Sequence, residues 1–335
     1  MSSQGAAGEG ASRVAVCVVT HNCEADVAPF LATLERIEHS ELELVIVDSG
    51  SHDGTPGALA RAKFSRPVRV DHSSDNLGFA GAMNRAIDLT SAEWILALNA
   101  DTRPAPDLVG RLLARANAAT YPVGAVTARL SRLDQPGLLD ACGMYVTWAW
   151  RHHDRGSDEP DKGQWSSPER VFGATGAAVL LRRAALDDVA IAGEIFAEEF
   201  HSYREDAELA FRLRERAWEV LYEPAAKAQH RRAGTPGRRR SMPPHVNYHS
   251  LKNRYLLRAY HQGGANFVYT LVPTFLRDLG ALAYACLFER QSLAAYAWLW
   301  RHRREILAKR RSIRARRTVP RRLVDRWFWK KGLPT

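Results

Sequence analysis

The residues with the clearest chemical potential in this sequence are carboxylates that follow apolar runs. Trp94 to Leu98 is such a run, and Asn99-Ala100-Asp101 comes directly after it. A carboxylate at the mouth of a strand is available to a divalent cation. Mg²⁺ and Mn²⁺ take carboxylate oxygen together with ligand phosphate and need few protein ligands. Asp also caps helices and turns, but Asp107, following Pro104 and Pro106, is the better cap for the next helix. That leaves Asp101 without a structural task. Asp48 closes the run ELVIV and leads into SGSHDGT. It can accept from a base or a ribose, whereas Gly50 and Gly54 suit a sharp turn as well as they suit a ligand.

A second group is Arg204-Glu205-Asp206-Ala207-Glu208, opening a helix with Leu209 and Leu213 on one side. One acid there is ordinary complement to the helix dipole. Three acids within four residues repel one another and point to a base that takes a proton from an incoming hydroxyl. His230, just before Arg231 and Arg232, can ligate a metal or touch a phosphate, although a lone His has many solvated roles.

These groups need a scaffold, and the spacing predicts one. Arg13 to Thr20 reads as a strand buried on both faces, Leu42 to Val47 as a second, Pro67 to Val70 as a short third and Trp94 to Leu98 as a fourth. Helices are predicted over Asp26 to Ile37, Gly78 to Leu89 and Asp206 to Arg216, with a further strand at Val220 to Tyr222. This alternation is that of an α/β layer architecture, in which ligands bind beyond the carboxyl ends of the strands. Residues 121 to 172 are less periodic and read as a long loop or short hairpins over the site, with Trp148, Trp150 and Trp165 suited to core or stacking roles and His152 and His153 at the surface. No GxGxxG follows the first strand and no GxxxxGK[ST] exists, which argues against a dehydrogenase and a P-loop enzyme.

The 335 residues carry a formal charge of +10, but the average misleads. From Arg301 to Thr335 there are 14 Lys or Arg against two acids, so the rest of the chain sums to -2. Only this end calls for an anionic partner. The four cysteines make neither a CxxC pair nor a disulfide framework. Residues 1–12 read as a disordered leader, 241–300 as an apolar helical extension and 301–335 as a basic tail. Asn266 to Leu276 and Leu279 to Phe288 are apolar but separated by Arg277-Asp278, so neither reaches the roughly 20 residues of a spanning helix. Trp298, Trp300, Trp327 and Trp329 beside Arg and Lys suit a membrane interface; a helical cap with a solvated basic end is the equal alternative.

With these residues in place, the chain resembles glycosyltransferase family 2, in its bacterial rhamnosyltransferase-like branch. The resemblance rests on VAVCVVTHN, ELVIVDSGSHDGT, DNLGFAGAMNRAI, WILALNADT, VFGATGAAVLLRR and YREDAELAFRLRERAW, in that order, with His230 and YHSLKNRYLL beyond. It implies a GT-A-like nucleotide-binding α/β domain over 13–240, donor half about 13–120 and acceptor half about 121–240, with a central, mostly parallel sheet flanked by helices and a C-terminal helical extension.

By similarity, Thr20, Asn22 and Asp48 line the nucleotide site. Asp75, Asn76, Gly78, Phe79 and Asn84 shape the donor side with Asn99, while Asp101 and His230 serve the metal, Mg²⁺ or Mn²⁺. Asp206 is the expected base of an inverting transfer, with Glu205 as its paired acid. The family's usual two acids or proline-centred form gives way here to Asn99-Ala100-Asp101. The resemblance further implies dTDP-rhamnose as donor. A glycan or polyprenyl-linked glycan acceptor suits the apolar C-terminal region, and an anionic membrane surface suits the basic tail, with the protein expected in the cytoplasm, peripheral on the inner face of the membrane. Another nucleoside diphosphate sugar is the alternative donor. A nucleotidyltransferase lacks its basic triphosphate loop, and a nucleic-acid-binding module leaves Asp48, Asp101 and Asp206 unexplained, so no specific nucleic acid is expected.

Overall fold

The computed structural model describes residues 11–232, 242–328 and 330–334. Most of the expected leader and of the basic segment 231–240, and Trp329, lie outside them. The first half alternates strand and helix: β1 (Val14–Thr20), α1 (Glu24–Leu34), β2 (Leu42–Ser49), α2 (Thr55–Arg61), β3 (Val68–Ser73), α3 (Gly78–Asp88), β4 (Trp94–Asn99), β5 (Thr102–Pro104) and α4 (Leu108–Asn117). Then come β6 (Val123–Arg132), β7 (Leu139–Ala141), β8 (Met144–Val146), β9 (His152–Asp154), β10 (Glu169–Arg170), β11 (Ala178–Arg182), α5 (Arg183–Val189), α6 (Glu205–Glu215) and β12 (Glu219–His230). The remainder is α7 (Pro244–His261), α8 (Ala265–Phe288), α9 (Ala294–Arg301), α10 (Arg303–Arg316), α11 (Arg321–Asp325) and β13 (Leu333–Pro334).

The apolar runs of β1, β2 and β4 do not alternate because both of their faces are covered. Val14, Val16 and Val18 enter one core layer with Phe30, Leu34 and Leu112, while Ala15 and Cys17 enter the opposite layer with Met83 and Ile87. Period-2 side-chain direction alone sorts these residues between the layers. The strand order is β13-β10-β12-β6-β11-β4-β1-β2-β3. β4, β1, β2 and β3 run parallel, and β11 runs antiparallel to both β4 and β6. The sheet is therefore mixed, with a parallel first half. Register places Thr20 opposite Asp48 and Val19 opposite Asn99, so three strand mouths form one row.

Several expectations change. The 121–172 stretch holds β6, a ten-residue strand inside the sheet. The strand expected at Val220 to Tyr222 is twelve residues long and ends at His230. Asp107 makes no cap bond; it accepts from Arg111 Nε one turn on. Trp150 is fully buried and Trp327 nearly so, both in a third core cluster that joins β8, α6, α7, α10 and α11.

Arg277 and Asp278 do not break the apolar segment: α8 is one continuous helix of 24 residues, long and apolar enough by composition to cross a membrane. The tail is not a solvated end either. Lys309 pairs with Glu194 and Glu199, Arg317 and Arg321 with Glu215, and Arg310 donates to Gln262 O. These cations are drawn onto the domain by acids and carbonyls that no local pattern reveals, while Arg301, Arg303, Arg304, Arg311 and Arg322 stay exposed.

Candidate active site

A cleft of about 870 Å³ opens beyond the row of strand mouths. Of the residues predicted for the site, Asn22, Asn76, Gly78, Phe79, Asn99 and Asp101 line it. Gly78 is required there: its φ is +68°, and a Cβ would meet His201 at 2.5 Å. Asp75 is exposed beside this group, its N–H bonded to Ser73 Oγ.

Of the other predicted residues, Thr20, Asp48, Asn84, Glu205, Asp206 and His230 are not part of its lining. Thr20 and Asp48 are buried; Thr20 Oγ1 donates to Asp48 Oδ1 at 2.8 Å, and Ser51 Oγ donates to the same oxygen at 2.6 Å. Asp48 Oδ2 lies 3.6 Å from His72 Nδ1. Asn84 donates to Phe196 O at 2.8 Å and to Glu198 Oε1 at 3.1 Å, and it accepts from Phe196 N at 2.8 Å. It ties α3 to the segment before α6.

The metal-type residues meet through β5. This short strand pairs antiparallel with the end of β12, setting Thr102 opposite His230 and bringing Arg231 N to Asp101 O at 2.9 Å. His230 Nε2 is then 3.3 Å from Asp101 Oδ1, and its Nδ1 is 2.8 Å from Asp140 Oδ2. Burial disfavours the imidazolium, but the two carboxylates outweigh it and hold the pKa up at about 9.

Among the described residues no group of three or more His, Cys, Asp and Glu side chains is placed to hold a metal. Asp101 Oδ1 and His230 Nε2 are nonetheless spaced like two neighbouring ligands of one octahedral cation, which at bond lengths of about 2.1 Å lie about 3 Å apart. Asp140 on Nδ1 is the partner that leaves Nε2 to a metal. This pair fits a cation whose other ligands come from a diphosphate.

From Asp140 the polar chain continues. Arg232 Nε reaches Asp140 Oδ1 at 2.9 Å and its Nη2 pairs with Asp154. Asp154 in turn acts on Asp206. Asp206 is half-buried; Oδ2 accepts from Gly176 N at 3.3 Å and Oδ1 from Ala207 N at 2.7 Å. Burial, then the Asp154 charge, raise its pKa to about 6 against those bonds and Arg232. Glu205 is buried, with Oε2 lacking a hydrogen-bond partner, and burial and Asp206 raise its pKa well above the usual range.

The third acid of the cluster has a different task. Glu208 accepts from Arg212 Nε at 2.8 Å and Nη2 at 2.6 Å and lies 3.3 Å from His261 Nε2. Against burial, Arg212 pulls its pKa down to about 2.

The backbone before α6 is strained. His201, Tyr203 and Arg204 all have positive φ, at 63°, 71° and 76°. Ser202 N donates to Phe200 O at 2.7 Å across His201, whose ψ is -68°. That is the rare γ-turn. Asn253 of α7 secures it by donating to Phe200 O, Ser202 O and Tyr203 O at 2.7–2.8 Å. Strain of this kind persists only where surrounding contacts over-determine it.

Sequence reasoning missed His21, His201, Tyr203, His245 and His249, all lining the cleft. The i, i+4 spacing of His245 and His249 was the available signal. It also missed Asp140, Asp154 and Asn253, whose roles arise only from packing. His152, expected at the surface, is half-buried and its Nδ1 is 3.1 Å from Arg204 Nη1.

The profile described as glycosyl transferase family 2 matches residues 15–189. The N-acetylglucosaminyl-diphospho-decaprenol L-rhamnosyltransferase of Mycobacterium tuberculosis is 25% identical over 271 residues, covering 74% of this chain and 85% of that protein. Among solved structures, the Pyrobaculum calidifontis mannosyltransferase in complex with GDP-Man and Mn²⁺ superposes with a TM-score of 0.53 at 17% identity, over 93% of this chain and 89% of that one. TarS of S. aureus in complex with UDP-GlcNAc gives 0.55 at 17% identity, over 84% and 79%. These two likenesses are of fold.

Proposed function

The chain belongs to glycosyl transferase family 2, and on that footing we propose that it moves a sugar, with inversion, from a nucleoside diphosphate to a hydroxyl of a glycan acceptor. The observation that carries this reading is the chain of contacts from Asp101 through His230, Asp140 and Arg232 to Asp154, whose charge raises the pKa of Asp206. It couples a cation-type pair at one end to a carboxylate of raised pKa at the other.

Asp101 and His230 would hold Mg²⁺ or Mn²⁺ against the donor diphosphate, where the ion offsets charge on the departing group. Asp206 takes the acceptor hydroxyl's proton. The acceptor oxygen forms its bond to the anomeric carbon as the bond to the diphosphate breaks on the opposite face. A base titrating near 6 is largely ionised at neutral pH and still basic enough to accept that proton. No covalent sugar intermediate is needed, in contrast to two-carboxylate retaining hydrolysis. Glu205 stands beside it, buried, as its paired acid, and its raised pKa favours the neutral carboxyl next to an ionised Asp206. Asp48 Oδ2 and Asn22 are assigned to the nucleotide, and Asn76, Gly78, Phe79 and Asn99 to the donor; Thr20 and Asn84 position these groups from behind, with Asp75 at the rim.

The broader donor reading is the better supported one. The similar proteins are a rhamnosyltransferase, a mannosyltransferase bound to GDP-Man and TarS bound to UDP-GlcNAc, so dTDP-rhamnose is one donor to test among these. A lipid-linked acceptor is favoured by the apolar C-terminal helix and by the diphospho-decaprenol in the mycobacterial relative's name. The test is a donor panel with Mg²⁺ or Mn²⁺ and lipid-linked glycans, reading released nucleotide and the anomeric configuration of the product. Transfer with inversion is expected. A product of retained configuration, or release of nucleotide without glycoside from every donor, would reject the mechanism.

A further inference from the structure

The helix α8 is built inside out. Asn266, Thr270 and Thr274, one turn apart, are buried, with Arg277 and Asp278 continuing the same face. Trp150 Nε1 donates to Asn266 Oδ1 at 3.1 Å and to Thr270 Oγ1 at 3.3 Å, Arg277 Nη1 donates to Ala149 O at 2.6 Å, and Asp278 pairs with Arg258 of α7. The opposite face is apolar and open: Val268 is 71% exposed, Val272 65%, Phe275 63%, Leu279 54% and Leu287 70%. A helix on the surface of a soluble domain carries the reverse arrangement. At 1.5 Å per residue the open stripe from Val268 to Leu287 is about 29 Å long, and the two charged side chains of α8 both serve the inner face.

We propose that this face of α8 is a bilayer-docking surface and lies in the plane of an anionic membrane. Three observations select a bilayer as its occupant. The stripe is free of charge along its whole length. Beyond its end along the chain exposed cations gather, Arg290, Arg301, Arg303 and Arg304, with Glu305 the exposed acid among them. Trp300, 69% exposed, stands there with the Arg303 guanidinium 4.5 Å above its ring. Aromatic and cationic side chains of this kind occupy the headgroup level, and cations there meet anionic lipid. Crossing the bilayer would bring the polar face into hydrocarbon and break its bonds to the domain, so the helix lies in the interface.

Beyond Arg304 the basic tail contributes less to docking, because Lys309, Arg310, Arg316, Arg317 and Arg321 are spent on the domain's own acids and carbonyls. The carboxyl end of α8 also approaches the cleft: Leu287 shares a groove with Pro244, whose neighbours His245 and His249 face the active site. The proposal draws its purpose, though not its geometry, from the lipid-linked acceptor reading, and its test is read without any sugar transfer.

That test is cosedimentation of the full chain with vesicles of phosphatidylcholine alone and of phosphatidylcholine with phosphatidylglycerol. The chain is expected to bind, more tightly to the anionic vesicles. The triple variant Val272→Ser, Phe275→Ser, Leu279→Ser removes no buried contact and is expected to bind on the order of a hundredfold more weakly, with an unchanged melting curve and unchanged turnover of a short soluble acceptor. Should that variant not fold, Phe275→Ser alone is expected to bind measurably more weakly. Arg303→Gln with Arg304→Gln is expected to weaken binding to the anionic vesicles only. Equal binding by the wild-type chain and the triple variant would overturn the proposal, as would absence of vesicle binding with self-association that the triple variant abolishes. Retention on vesicles through an alkaline carbonate wash would overturn the in-plane arrangement. If vesicles bind as expected and no donor yields transfer, the catalytic reading fails and this one stands.

Discussion

Helices α6 and α8 break the usual rule of burial in opposite directions. Nearly every residue of α6 is buried, although six of its eleven residues are charged; α8 is apolar and mostly open. In α6 the buried charges are compensated: Glu208 with Arg212, Arg214 with Glu219, Glu215 with Arg317 and Arg321. Glu205 and Asp206 stand apart: among the described residues no ion pair is drawn to either, and both pKa values are raised. In α8 the uncompensated feature is the uncovered stripe. What an element leaves unsatisfied marks its function better than its composition does.

Within α6 the contrast can be broken first at Asp206. Asp206→Asn keeps the shape and one of the two backbone bonds, because its amide nitrogen cannot accept from an N–H, and it removes the base. Turnover is expected to fall about a thousandfold, near the middle of what a general base contributes, with donor affinity and melting temperature little changed. Near-normal turnover would take Asp206 out of the base role.

Glu208→Ala should do the opposite. It strands Arg212 and His261 in the core, and breaking one partner of a buried pair costs about 3 kcal/mol or more. Denaturant unfolding is expected to register that loss while turnover per folded molecule stays near the wild-type value. A stable but inactive Glu208→Ala protein would show that the three acids do not divide as described.

At the other end of the polar chain, Asp101→Ala is expected to weaken cation-dependent donor binding or turnover on the order of tenfold to a hundredfold, the range typical of disturbing a metal's ligand shell. Titration calorimetry of the nucleotide with and without Mn²⁺ checks it. Affinity that responds equally to Mn²⁺ in both proteins would free Asp101 of that role.

Much of this contrast was legible in the sequence, and where it was not the reason is physical. β1, β2 and β4 announce themselves because a strand covered on both faces is a continuous apolar run. Asp101 and the acids of α6 are visible because they exceed what capping requires. β6 was hidden by Thr127, Arg129 and Ser131, polar residues in a strand of the sheet interior. Arg277-Asp278 was read as a break because polarity does not say which side of a helix meets water. Nothing local marks Asp140, Asp154 or Asn253, whose partners lie between 50 and 92 positions away.

The smallest effect probes how Asp206 is tuned. Asp154 is half-buried against Arg232, and its charge raises the Asp206 pKa. Because Asp206 must be ionised to act, kcat/KM is expected to fall as pH drops through about 6. Asp154→Asn deletes the charge that disfavours ionisation and leaves Arg232, which favours it, less compensated. Both changes lower the Asp206 pKa, so the acid limb should move to lower pH while the plateau above neutrality changes little. A pH series of kcat/KM for the two proteins measures the displacement. A limb that stays in place would mean that burial alone sets the base and that the polar chain ends at Arg232; a limb moving to higher pH would mean that Asp154 acts mainly by holding Arg232 near Asp206.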